Sequence, residues 1–491
     1  MNEVIKEVLL SGKRLTPDGL DALEDALQNG LDTQLLLTRI KKLDHVFISR
    51  EDIDQIVSEL EKTLSPVVVK RSDFHPIAKD YSPNLRILKE HDITNNSRTT
   101  GSVENFVHYF RDRFNKIYNM LKSRPSDVSV IDIKYLKKHR GERLRVIGMI
   151  NEISYSKKGN LLVRCEDLSD EVLVVIPKNT NAYGLRDTLL EDEVVMFEGK
   201  MTERMFIADE IIRPETPLNK EVKKIEDDLA IAYISDIHIG SDMFLEEVFK
   251  KFILWLNGKG DKHRELAGKV KYLVIAGDVV DGIGVYPEQE DELTIKDIFK
   301  QYEAFDEFME DIPDYITIIV SPGNHDAVRR AEPQPALPQD LVKSNVIRVG
   351  NPSWLEIEGL LHLIYHGRGL DIMASSIPGL TYTKPTQLMK EMLIRRHLSP
   401  TYGKNLIIPE EQDYLVIHEV PDVFHSGHIH TNGYELYRGV HLINSGTFQG
   451  QTSYQVKLGH VPTPGIVPVL ELKTGLVHQV KFVQDNPLPE T

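Results

Sequence analysis

The chain of 491 residues has one cysteine, Cys165. A lone cysteine closes no intramolecular disulfide and builds no thiolate metal site, and it fits a reducing cytoplasm. No apolar run approaches the roughly 20 residues that a membrane-spanning helix needs. The N-terminal stretch interrupts its short apolar run with acidic residues and has no small-residue cleavage site, so no signal peptide is expected. Positive charge is also scarce. The 59 Lys and Arg are outnumbered by 75 Asp and Glu, for a net charge of −16. A protein that binds DNA mainly through its own surface is usually basic, because phosphate neutralisation drives affinity. The balance argues against a stand-alone DNA binder. It is compatible with a metal site that touches phosphate locally, or with a partner that supplies a basic surface. Internal repeats and long low-complexity tracts are absent as well.

What remains is 41% hydrophobic and 27% charged, an ordinary globular balance at a length that suggests about two to four domains. Residues 1–63 read as a small helical module. Ser49 is placed as a helix N-cap, acids follow in the first turn, and Ile53, Ile56, Val57 and Leu60 keep a helical spacing. Residues 64–129 read as a linker with one amphipathic helix. Pro66, Pro76, Pro83 and the polar run 94–100 favour loop over packed structure. The helix is expected from about Val103 to Lys122, with Phe106, Phe110, Phe114, Ile117 and Leu121 on one face. That stripe is read as a packing face. Residues 130–214 hold short strand-like runs, with a hairpin turn at Lys157, Lys158, Gly159 and Asn160. A small barrel, with an OB-fold as the leading candidate, fits them. Its sparse aromatics favour protein contact over DNA contact.

Residues 229–485 alternate apolar runs with helical stretches, and polar groups gather where five of the runs stop. They are Asp236 and His238; Gly277, Asp278 and Asp281; Gly323, Asn324, His325 and Asp326; His366 and Gly367; and Gly427, His428 and His430. Strand carboxyl ends are where α/β sheets place their sites. Residues two apart on an extended chain point the same way, so Asp236 with His238, and His428 with His430, can each reach one cleft. The glycines let the backbone turn sharply and approach a ligand. An inventory of Asp, His and Asn suits divalent ions such as Mn²⁺, Fe²⁺ or Zn²⁺. It is large enough for two ions sharing a bridge, which can bind a phosphate, activate water and stabilise a leaving oxygen. A lone Asp-x-His is more often a solvated turn. Five motifs in order are judged as one convergent site.

The set resembles the calcineurin-like metallophosphoesterase superfamily, with its D-x-H, G-D-x-x-D, G-N-H-D/E, H and G-H-x-H blocks in order. By that resemblance Asp236, His238 and His430 hold one metal, Asn324, His366 and His428 hold the second, and Asp278 bridges. His325 then faces the scissile phosphate as the catalytic residue, and Asp281 and Asp326 steady the ligand loops. The expected architecture is α/β: an OB-fold barrel plus a metallophosphoesterase β-sandwich flanked by helices. Longer stretches at 363–371, 392–403, 444–452 and 462–465 are similar to the small-subunit family of archaeal family D DNA polymerase. That family implies 3′→5′ exonuclease activity on DNA, two divalent ions with Mn²⁺ foremost, and a separate large catalytic subunit. It also implies contact with single-stranded 3′ ends, a sliding clamp or other replication proteins as further partners, no membrane, and a cytoplasmic location. The basic residues Lys384, Lys390, Arg395, Arg396 and Lys404 are candidates to meet DNA or the large subunit. A phosphatase or phosphodiesterase acting on a small-molecule phosphate, and a scaffold without catalysis, are the competing readings. The OB-like region counts against the first and the complete ligand set against the second.

Overall fold

The computed structural model describes residues 2–28, 33–41, 43, 45–64, 74–260 and 263–483. It divides into two compact units, Met1–Asp73 and Phe74–Thr491. In the small unit, helices Asn2–Leu10, Pro17–Gln28, Thr33–Lys41 and Arg50–Leu64 surround a short parallel pair of strands. The expected cap is present. The Asp52 N–H donates to Ser49 Oγ at 3.5 Å and the Ser49 N–H to Asp52 Oδ2 at 2.8 Å, immediately before Arg50–Leu64. Val8, Leu23, Leu36, Ile40, Ile48 and Ile53 form its core.

In the large unit, five strands close a barrel in the order Arg143–Tyr155, Leu161–Glu166, Glu171–Ile176, Phe206–Ile212 and Val194–Met201. The expected hairpin joins the first two strands, and Gly159 takes the left-handed φ of +75° that the turn requires. The helix Val103–Lys122 begins at the Ser102 cap and lays Phe114, Ile117 and Leu121 against Ile147, Met149, Val194 and Met196 of the barrel. The stripe is a packing face, as its spacing implied.

The rest is a sandwich of two six-stranded sheets. In the first, Ala230–Ile234, Val270–Ala276, Thr317–Ser321 and Ile347–Arg348 run parallel. In the second, Leu360–Ile364, Val423–Ser426 and Val440–Ser445 do so. Strand alternation sorts the core. Ile231 and Tyr233 face the layer between the sheets, where they meet Tyr272, Ile364 and Ile443. Ala230, Ala232 and Ile234 face the outer helices Glu246–Leu256 and Ile298–Glu310. The second sheet is covered by Gly369–Ser376 and Pro385–Arg395. Sheets buried on both faces give unbroken apolar runs, which is why the runs were visible in the sequence.

Two expectations are corrected. Residues 74–100 are no linker. Leu85–Ile87 pairs antiparallel with Ser353–Ile357 at the edge of the second sheet, and Ala78, Leu88 and Ile93 are buried. The remainder of that stretch, 65–73, lies outside the described residues. Nor are Arg395 and Arg396 surface groups. Arg395 is fully buried against Glu193 at 2.9 Å, and the Arg396 Nε–H donates to the Ile417 carbonyl at 2.7 Å. Neither can reach DNA. Among the described residues, no helix is long and apolar enough to cross a membrane.

Candidate metal centre

All five motif loops leave the carboxyl ends of parallel strands, three from the first sheet and two from the second. Their side chains converge on one cleft of about 600 Å³. The approach is tight. A Cβ on Gly323 would lie 2.1 Å from Asp278 Oδ1, and one on Gly277 would lie 2.7 Å from His366 Nδ1. Asp236, His238, Asp278, His428 and His430 all have φ between +51° and +71°. For a non-glycine residue this region costs about 1–3 kcal/mol. Such strain persists where surrounding structure over-determines it, as in loops held to aim ligands.

Two donor sets form. In the first, His238 Nε2 lies 3.1 Å from His430 Nε2, and His430 Nε2 lies 3.4 Å from Asp236 Oδ1. His238 Nδ1 is 2.9 Å from Asp281 Oδ1, so the carboxylate accepts a hydrogen bond from Nδ1–H and the neutral ring turns its Nε2 lone pair inward. Asp281 is itself held by Gln289 and Gln449. Gln455 Nε2 lies 2.8 Å from His430 Nδ1 and orients that ring. In the second set, His366 Nδ1 sits 2.8 Å from the Ala276 carbonyl, which fixes a proton there. The His366 Nε2 lone pair then confronts Asn324 Oδ1 at 3.1 Å and Asp278 Oδ2 at 3.2 Å. With His366 neutral, three acceptors meet and repel one another; positive charge between them, a metal ion or in its place a proton on His366, resolves the conflict. The residues therefore fit divalent ions. Asp278 reaches both sets, its Oδ2 lying 3.8 Å from His238 Nε2.

The electrostatics agree. Burial works against charge on His366, yet Asp278 and Asp236 outweigh it and push its pKa up to about 10. Burial likewise opposes charge on Asp278, but His366 and His325 hold it well below the usual carboxylate range. Burial, with Asp278 alongside, raises the Asp326 carboxyl to about 7. Asp326 accepts hydrogen bonds from the Asp278 and Gly323 backbone N–H groups and so ties two ligand loops together.

His325 is half-buried. Its Nδ1 lies 2.7 Å from the Asp281 carbonyl, which turns Nε2 toward the cleft. Its backbone N–H donates to Asp278 Oδ1. Burial lowers its pKa, against the pull of Asp278. His428 stands apart from both donor sets. Its ring is 5.2 Å from that of His366, but its Nε2 lies 2.9 Å from Asp371 Oδ2. Its backbone N–H donates to Asp236. Sequence reasoning missed Asp371, Gln289, Gln449 and Gln455. Asp371 carried a faint signal, because it closes the 363–371 stretch five residues after His366. Of the candidate basic residues, Lys404 lines the cleft rim and donates to Ser376 Oγ at 2.9 Å. Lys390 lies over the Tyr437 ring.

Residues 231–432 match the family model of the DNA polymerase alpha/epsilon B subunit. The DNA polymerase II small subunit of Methanocaldococcus jannaschii is 44% identical over 407 residues, covering 81% of this chain and 68% of its own length. That of Archaeoglobus fulgidus is 40% identical over 474 residues and covers 95% of each chain. Among solved structures, an archaeal phosphodiesterase aligns with 51% of this chain and 99% of its own at 18% identity. Its TM-score of 0.27 is too low to support an argument about chemistry.

Proposed function

The chain belongs to the DNA polymerase II small-subunit family, the archaeal family D assignment to which its motifs pointed, and from that premise we propose that it is the 3′→5′ exonuclease subunit of a replicative DNA polymerase. It trims single-stranded 3′ ends at a two-metal site, works in the cytoplasm beside a large polymerising subunit, and meets the sliding clamp through that assembly. The observation that carries the reading is the meeting of His366, Asn324 and Asp278 acceptors beside the inward-facing His238 and His430 pair. Asp236, His238 and His430 would hold one ion. Asn324 and His366, with His428 once it leaves Asp371, would hold the other, and Asp278 would bridge. Two divalent ions, Mn²⁺ foremost, would supply phosphate binding, water activation and stabilisation of the leaving oxygen.

The chain's own residues do the rest. Asp281 fixes the His238 tautomer so that its Nε2 lone pair faces the ion, and Gln455 holds the His430 ring in place. His325 keeps its Nδ1–H on the Asp281 carbonyl and presents Nε2 to the scissile phosphate, where, once the anionic substrate favours its imidazolium form, it can give the Nε2 proton to the departing 3′ oxygen. The excess of carboxylate in the cleft repels free polyanion unless metal is bound, which couples DNA entry to metal loading. The test is a 5′-labelled single-stranded oligonucleotide given to the full chain with its large subunit. A ladder shortening from the 3′ end in Mn²⁺, and none in chelator, is expected. An intact oligonucleotide in both conditions would refute the exonuclease assignment.

A further inference from the structure

Above the metal centre, the same cleft is walled by aromatic rings that the proposed chemistry does not use. Tyr286 and Tyr454 stack at 5.9 Å with planes 21° apart. Tyr382 and His460 pair at 4.4 Å on the same cleft. These rings are not core. Tyr454 is 53% exposed, on the short helix Ser453–Leu458. The hydroxyls of Tyr286 and Tyr382 are tied off. The Tyr286 hydroxyl donates to Glu292 at 2.9 Å, and Ser453 bonds the other oxygen of that carboxylate. Tyr382 bonds Asp371, the partner of His428. Gln455, next to Tyr454, holds His430. Tyr286 lies 6.3 Å from the His325 ring. The two ring pairs thus stand beside the metal centre on the wall of the same cleft.

From this arrangement, and resting on the exonuclease reading above, we infer that the rim stacks the terminal bases of an unpaired 3′ strand and so selects single-stranded nucleic acid over small phosphate esters and paired ends. The charge pattern requires such a device. Among the described residues, no arginine lines the cleft, and its one lysine, Lys404, is bonded to Ser376. Backbone phosphates beyond the scissile one therefore find little in this cleft to hold them, and base faces are what it can hold. Every base has a π-face, so stacking tolerates any sequence. A paired end keeps its bases in the helix and cannot offer them, whereas a frayed mismatch can at low cost. A cleft of about 600 Å³ accommodates an end of one or two nucleotides, not a duplex.

The test uses the full chain with its large subunit, Mn²⁺, and two single-stranded oligonucleotides. They are identical except that one lacks its two 3′-terminal bases. Loss of a stacked base costs roughly 5- to 100-fold. Wild type should show that rise in KM on the abasic end with kcat little changed. Tyr454→Ala should show a similar rise on the normal end and little further rise on the abasic one, because both changes remove one interaction. Tyr454→Phe should restore wild-type KM, since the ring carries the effect. Equal KM for both oligonucleotides in wild type, or full additivity of the two losses, would overturn the stacking role while leaving the nuclease intact. A wild-type complex that cuts neither oligonucleotide would overturn the exonuclease reading itself.

Discussion

Two regions of this molecule bury charge, and they solve the problem in opposite ways. The seam where the barrel and helix Val103–Lys122 meet the sandwich carries its own cations. Arg113 Nε donates to Asp413 Oδ2 at 2.7 Å with both side chains fully buried, and the guanidinium further donates to the Pro400 and Asp192 carbonyls. His397 bonds the same carboxylate, and Arg395 and Arg213 flank Glu193. The metal cleft gathers Asp236, Asp278, Asp281 and Asp326 with imidazoles and, among the described residues, no arginine. Acids matched by arginine are structural, and their worth lies in what breaks when one partner leaves. Acids matched by imidazoles alone draw positive charge, a proton or a cation from outside, and such centres are where function concentrates.

The largest expected contrast comes from removing one carboxylate in each region. Asp278→Ala should cut the exonuclease rate by about 10³-fold or more, because several kcal/mol of transition-state stabilisation depend on the metals. The metal-free melting temperature should fall modestly, since His366 loses its carboxylate partner and the His325 N–H its acceptor. His325→Ala should lower the rate by roughly 10²–10⁴-fold, the scale of a lost general acid, with bound metal and melting temperature unchanged. A folded, metal-loaded His325→Ala that cuts at the wild-type rate would remove His325 from the chemistry. Asp413→Ala should do the reverse. It strands Arg113 and should cost about 3–5 kcal/mol of stability, read by denaturant unfolding, while metal content at low temperature is retained.

The seam also has a pH signature. Burial lowers the His397 pKa to about 4, against about 6.5 in the unfolded chain. The unfolded state therefore binds more protons below pH 6.5, and stability falls as pH drops from about 6.5 toward 4. Burial opposes charge on Asp413, but His397 and Arg113 outweigh it and depress its pKa, so its contribution is present above the usual carboxylate range and lost only in stronger acid. Acid melts should lose this early phase in His397→Gln. The smallest effect is expected at Asp371→Asn, which removes the carboxylate that positions His428. Mn²⁺ affinity should change by about 10- to 100-fold, measured by titration calorimetry, with folding unaffected.

The sandwich and the ligand loops were legible because strands buried on both faces read as apolar runs that stop abruptly at polar residues. The segment 74–100 was not. Leu85–Ile87 is three residues long and pairs with Ser353–Ile357, far along the chain, so no local pattern announces it. Arg395 and Arg396 looked free to meet DNA or the large subunit because sequence does not show that Glu193 of the barrel awaits one of them. Gln289, Gln449 and Gln455 are unremarkable polar residues until the fold sets them against Asp281 and His430. The ligands were readable as a set of types. The groups that orient them are defined only by neighbours in space.

Native mass spectrometry of the chelator-stripped full chain returned to Mn²⁺ tests the difference between the two buried regions most directly. A mass increase of about two ions per chain, retained in Asp413→Ala and lost in Asp278→Ala, is the predicted result. No increase in the wild type, or an increase that survives Asp278→Ala, would contradict it.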